Sequence, residues 1–168
     1  MYRTFIRRIA IVLVLFLIVA YAVIGYQNST PPPLGHTNGQ LPPVPSTPNA
    51  VSSQSQDPRY QVSPLPFHQS PEQTMTALLH AVQRYGNATV ELQQADYLYV
   101  VFTTAVLGFH DDAEFYLDAS QQQVHFRSAS RAGYSDGGLN RKRYNTLRQY
   151  YLTAIKPEND PDALPVPD

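Results

Sequence analysis

Between Arg127 and Arg143 the chain reads RSASRAGYSDGGLNRKR, with five basic side chains and three glycines in one short stretch. Arginines supply forked N–H donors that fit phosphate or carboxylate, and glycines let backbone amides turn toward the same point. Asn140 is a good helix N-cap, and Tyr144, Leu147, Tyr151 and Ile155 come after it on one helical stripe. Arg141, Lys142 and Arg143 then fall in the first turn of a helix, where the free amides already carry about half a positive charge. Three cations at that end call for an anion: a bound ligand, a lipid headgroup or the protein's own carboxylates. Arg131, Asn140, Arg141 and Arg143, with the amides of Gly137 and Gly138, form the candidate ligand-binding set. Positions two apart on a helix diverge by about 200°. Only one of Arg141 and Arg143 can therefore join Arg131.

A second group of residues carries oxygen ligands: His110, Asp111, Asp112 and Glu114. Calcium-loop spacing is absent. On a strand, Asp112 and Glu114 point one way and Asp111 the other. Ion pairing of Asp112 and Glu114 with Arg127 and Arg131 is favoured over a metal site, and Asp136 joins the structural charges. Ser128, Ser130 and His125 suggest a hydrolase only weakly, because strand alternation sets His125 and Ser128 on opposite faces. Gly133, Gly137 and Gly138 fit no phosphate-loop motif and read as turn residues. No cofactor or metal is expected.

The elements that must position these groups are set by hydrophobic period. Ser70-Pro71-Glu72-Gln73 is a helix start with Ser as cap and Pro in the first turn. Met75, Leu78, Leu79, Val82 and Tyr85 form its apolar stripe, and Gly86 stops it. Ala88–Gln93 and Tyr97–Thr104 read as one hairpin, and residues 112–118 and 124–130 as a second. If Asp118 lies opposite Gln123, Leu117 faces Val124, Phe115 faces Phe126 and Glu114 faces Arg127. The apolar pairs then share one face, while Glu114, Arg127, Tyr116 and His125 share the other. The expected class is α+β, an antiparallel sheet of about four strands covered by two helices.

Ahead of this domain, Arg3, Arg7 and Arg8 precede an uncharged apolar run from Ile9 to Tyr26. It is long enough to span a bilayer, and the arginines place the chain beyond Tyr26 on the extracytoplasmic side. Residues 1–26 read as a single-pass anchor, with cleavage near Ala22 and secretion as the alternative. Residues 27–48 hold seven prolines and no charge. They read as a linker that holds the domain off the membrane. His36 is an incidental loop residue in that reading. Residues 49–156 are the domain, beginning with an extended arm, and 157–168 a loose tail. The 168-residue chain has no cysteine and a net charge of -1. Disulfides and thiol chemistry are thereby excluded, and nucleic acid is not expected as a partner. The balance hides an asymmetry. Six acids and no Lys or Arg lie between Glu91 and Asp118, against six basic residues and Asp136 alone between Arg127 and Arg148.

Four stretches in order, Pro48–Gln54, Gly108–Phe115, Arg127–Asp136 and Asn140–Arg143, resemble the family catalogued as domain of unknown function 1499. The resemblance covers about Leu41 to Leu152 and implies an exported or lipid-anchored domain of the kind found in bacteria and plastids. The family pattern has a cysteine pair where this chain has Val44 and Ala50, which implies that the pair is a dispensable link. No activity, substrate or cofactor comes with the resemblance.

The expected function is that of a membrane-anchored extracytoplasmic module, non-enzymatic, binding an anionic small molecule, a lipid headgroup or an envelope protein. The rival is an enzyme on an anionic envelope substrate, with Asp112 or Glu114 as acid or base. A third reading makes the ion cluster purely structural, with the domain docking a protein.

Overall fold

The computed structural model describes residues 2–155. An N-terminal helix α1 (Tyr2–Ser29) is followed by two short strands, β1 (Ala50–Ser52) and β2 (Leu65–Pro66), then helix α2 (Pro71–Tyr85). Strands β3 (Ala88–Gln93), β4 (Tyr97–Thr103), β5 (His110–Asp118) and β6 (Gln123–Ser130) come next, and helix α3 (Leu139–Ala154) closes the order. The class is α+β, as expected, but the antiparallel sheet has six strands rather than four. The extra two come from the arm: β1 and β2 both pair with β6, so the order across the sheet is β1-β6-β5-β4-β3. The tail expected from residue 157 lies outside the described residues.

The β5–β6 hairpin has the register that alternation demands. Leu117 opposes Val124, Phe115 opposes Phe126 and Glu114 opposes Arg127. Strand β4 brings Leu98, Val100 and Phe102 onto the same face as Ala113, Phe115, Leu117, Val124 and Phe126, all buried. Helices α2 and α3 cover that face with Met75, Leu78, Val82, Tyr144, Leu147 and Tyr151. Ser70 caps α2 by accepting from the Gln73 amide, and Gly86, at a positive φ of 79° open to glycine, ends it with its amide on the Val82 carbonyl. Tyr144 and Tyr151 bury their rings but deliver their hydroxyls to the carbonyls of Ser63 and Pro66. Burial pushes the Tyr151 phenol up to about 12.

The other face of the sheet is where the structure departs most from the expectation. The Pro-rich segment does not stand as a free spacer. Helix α1 runs on to Ser29, and the chain then lies across the polar face of β4, β5 and β6. The Gly35 amide donates to Glu114 at 2.9 Å, and Arg127 reaches the Pro43 carbonyl at 3.4 Å. His36 stacks against Tyr116 with centroids 4.2 Å apart, and Leu41 is buried. Thr37 and Gln40 exchange both backbone hydrogen bonds around Asn38-Gly39, whose φ values are 51° and 79°. That is a two-residue hairpin turn with both central residues left-handed, the geometry Asn-Gly favours. Gln54 from the arm holds this strap with both ends of its amide, donating to the Gly39 carbonyl and accepting from the Leu41 amide. Proline removes backbone donors and lowers ordering entropy, so a Pro-rich segment can be laid over a polar sheet face with few amides left to satisfy.

Candidate functional site

The Arg-rich stretch ends β6, forms a loop and enters α3, and its charges find carboxylates on β5. Three ion pairs result. Arg127 Nη1 lies 2.9 Å from Glu114 Oε2, Arg131 Nη2 lies 2.8 Å from Asp112 Oδ1, and Arg143 Nη2 bonds Asp111 Oδ2. Asp111 and Asp112 are neighbours on a strand, so they serve opposite faces. Asp112 and Glu114 work under the strap, while Asp111 works beneath α3. Asp111, Asp112, Glu114, Arg127 and Arg143 are all buried.

Each carboxylate holds further donors. Glu114 is fully buried and accepts from Tyr97 Oη at 2.7 Å and the Gly35 amide at 2.9 Å as well as from Arg127. Asp112 takes Arg131 as a fork, Nε at 3.0 Å to both oxygens and Nη2 at 2.8 Å to Oδ1, and accepts from Tyr99 Oη at 2.6 Å. Planar fork against planar carboxylate is the strongest form of such a pair. Burial, with the Glu114 bond next, drives the Tyr97 phenol far above its ordinary value; burial and Asp112 do the same for Tyr99. The Asp112 bond holds Arg131 even more firmly protonated than usual.

Under α3 the centre is Asn140. It does not cap the helix, as its sequence position suggests. The cap position belongs to Gly138, at φ 82°, which has no side chain to offer, and Asp136, two residues upstream, supplies the acceptor instead. Asp136 accepts from the amides of Gly138 at 2.9 Å and Asn140 at 2.8 Å. Two of the protein's own carboxylates thus sit at the cationic helix start, Asp136 at the amides and Asp111 at Arg143. With capping done, the Asn140 side chain is free to knit the fold. Its Nδ2 donates to the Asn49 carbonyl, Ser130 Oγ and Asp136 Oδ2, and its Oδ1 accepts from Ser128 Oγ and Arg143 Nη1. Asn140 is fully buried. Arg143 also lies over the Phe102 ring, 4.7 Å from its centroid, a cation–π contact.

The candidate residues therefore do not converge on one clamp. Arg131 faces the strap and Arg143 faces the core. Arg141 points outward and donates to the carbonyls of Gln61 and Arg59, each at 2.8 Å. Arg141 lines a cleft of about 190 Å3 with Arg59, Tyr60, Tyr134, Asp136 and Gly138. The Gly137 amide donates to Ser135 Oγ at 3.3 Å within the exposed turn. Ser128 and His125 are apart, as alternation requires: Ser128 meets Asn140, while His125 stacks on Tyr116 and approaches Ser53 Oγ at 3.4 Å. Burial lowers the His125 pKa below its ordinary value. Tyr97, Tyr99, Asn49 and Gly35 are not among the expected site residues. Tyr97 and Tyr99 carry a usable signal, since they alternate in step with Asp112 and Glu114 on the polar face.

A search of curated proteins finds no match to the chain. The family model described as Protein of unknown function (DUF1499) matches residues 40–150. That span takes in β1 to β6, all three ion pairs, Asp136, Asn140 and most of α3. The chain belongs to this family.

Proposed function

We propose that the protein is a non-enzymatic, single-pass, extracytoplasmic module that works by binding, and that its buried ion pairs hold the fold rather than a substrate. The observation that carries this reading is the pairing itself. Asp112 and Glu114, the groups the rival acid–base reading would use, are each spent on an arginine and lie buried, as does their neighbour Asp111. The apolar helix α1, with no residue buried against the domain, supports the anchor. Arg3, Arg7 and Arg8 ahead of its apolar run support an extracytoplasmic domain. A reporter active only in the cytoplasm, fused after Asp168, is expected to be silent; strong activity would reverse the orientation.

The anion-binding part of the reading narrows to Arg141 in the cleft beside Gly138, because Arg131, Arg143 and Arg59 already hold Asp112, Asp111 and Asp57. Phosphate or glycerol phosphate at a hundredfold excess over its dissociation constant is expected to stabilise the full chain in detergent by about 2.7 kcal/mol. Arg141→Gln should remove that shift and leave the unliganded melting point nearly unchanged. Arg131→Gln and Arg143→Gln should instead lower the unliganded melting point. A melting point that ignores every anion beyond a general salt effect leaves the other binding mode, the docking of an envelope protein. That second reading is favoured by an apolar groove of about 630 Å3, which Phe67, Met75, Leu79 and Leu117 line at the opposite end of the sheet.

A further inference from the structure

The loops at the two ends of the sheet differ in chemistry, and α1 stops against one of them. Asn28, next to the last residue of α1, donates from Nδ2 to the Gly108 carbonyl at 2.9 Å and accepts from the His110 amide through Oδ1 at 2.8 Å. Arg131 Nη1 adds a bond to the Asn28 carbonyl at 3.3 Å. The loop between β4 and β5 is thereby pinned to the end of α1. This loop carries Val106, 92 % exposed, and Leu107, 72 % exposed. Tyr134, in the loop after β6 at the same end of the sheet, is 75 % exposed. The turns at the opposite end are polar: Gln94 and Asp96 join β3 to β4, and Ser120, Gln121 and Gln122 join β5 to β6.

A Val-Leu pair projecting this far into water gains free energy where an apolar phase lies beside it. Helix α1 fixes where such a phase would be. Its apolar run ends at Tyr26, two residues before Asn28, or about 3 Å along the helix axis. A bilayer boundary set by that run falls level with Gly108. The loop suits such a place chemically. No charged residue occurs between Tyr97 and Phe109. Its base is closed by its own backbone: the Thr104 amide donates to the Phe109 carbonyl, the Gly108 amide to the Thr104 carbonyl, and the Phe109 amide to Thr104 Oγ1. Pairing these groups lowers the penalty for bringing the loop among lipid headgroups, where the tip amides of residues 105–107 can still meet water and headgroup oxygens. Leu139 of α3 borders one cleft with Thr104 and Ala105, so the exposed Lys142, one turn on, is at this end too and can meet anionic headgroups.

We infer that the β4–β5 loop is a second membrane contact. Val106 and Leu107 enter the headgroup–acyl boundary of the leaflet in which α1 ends, and the domain is seated on the bilayer rather than suspended above it. The inference rests on the reading that α1 spans the membrane.

The absence of cysteine makes the test clean. The full chain carrying Val106→Cys, Leu107→Cys or, as the distal control, Gln121→Cys is labelled with an environment-sensitive fluorophore. It is then reconstituted into vesicles of phosphatidylcholine and phosphatidylglycerol. Flotation after a carbonate wash reports the anchor independently. The expected result is that all three proteins float, with blue-shifted emission and strong quenching by nitroxide lipids at 106 and 107 and neither at 121. Proteins that float but read 106 and 107 as aqueous as 121 overturn the second contact and leave the anchor in place. Proteins that fail to float overturn both.

Discussion

Glu114→Ala is expected to destabilise the domain by about 3–5 kcal/mol, because it leaves Arg127 buried with a charge and no counter-ion. The size reflects where the pair lies. Glu114 is fully buried, and its oxygens take the Tyr97 hydroxyl and the Gly35 amide in addition to the guanidinium. The substitution therefore strands three donors, one of them on the strap. Glu114→Gln separates the contributions. The amide keeps an acceptor for Tyr97 and Gly35 while removing the charge, so whatever loss remains belongs to Arg127. Exchange of the charges, Glu114→Arg with Arg127→Glu, should restore only part of the stability, because Tyr97 and Gly35 would then face a cation. Denaturant titration of the parent, Glu114→Arg, Arg127→Glu and the exchanged double variant gives the coupling directly. A Glu114→Ala loss of about 1 kcal/mol or less, typical of a solvent-exposed pair, would show that the strap leaves the pair open to water.

How far the fold is legible in the sequence depends on the range of the interactions. The β5–β6 register is readable because a slip of one residue would carry Phe115, Leu117, Val124 and Phe126 to the polar face. Helix α2 is readable because Ser70, Pro71 and Gly86 are local signals at both ends. Helix α3 lies where its stripe predicts, yet its cap sits two residues earlier than Asn140 suggests. Asn140 has the chemistry of a cap, but Asp136 has it too and reaches the amides first, and burial then gives Asn140 a network to hold. Strands β1 and β2 escape a sequence reading because three and two residues are too short for any period to register. Their strand character comes from β6 beside them.

The strap is hidden for a different reason. A stretch with seven prolines and no charge cannot build a core alone, and composition reads it as a spacer. What fixes it here is a surface made by distant residues: Glu114, Tyr116, Arg127 and Gln54. Asn38-Gly39 is the local sign that this segment turns on itself, and His36, the one aromatic ring between residues 27 and 48, packs on Tyr116. The same logic applies to the candidate site. Register alone pairs Glu114 with Arg127, but it says nothing of the partner of Arg143, because Asp111 reaches it across the sheet-to-helix layer rather than along the hairpin.

That cross-layer pair carries the second large effect. Asp111→Ala is expected to cost about 3–5 kcal/mol, since it leaves the Arg143 guanidinium enclosed. Arg143 is 2 % exposed. It would keep only the Asn140 oxygen and the faces of Phe102 and Tyr85 around it. Replacing both partners by apolar residues of similar size, Asp111→Leu with Arg143→Met, should recover most of that loss. Buried pairs exchanged for well-packed hydrophobics are often neutral or better, and Phe102 and Tyr85 already supply an apolar wall. Asn140 would lose one donor to its oxygen but keep Ser128. The double variant should also retain the anion-induced shift assigned to Arg141, because the ion pair positions the helix and does not touch the outer cleft. A double variant no more stable than Asp111→Ala would mean that the core requires the charges themselves to pack one way. A double variant that folds well but loses the shift would move the anion site from Arg141 to Arg143. A small loss for Asp111→Ala alone would mean that water reaches Arg143 through the cleft of about 240 Å3 between Asn87, Thr103 and Leu139.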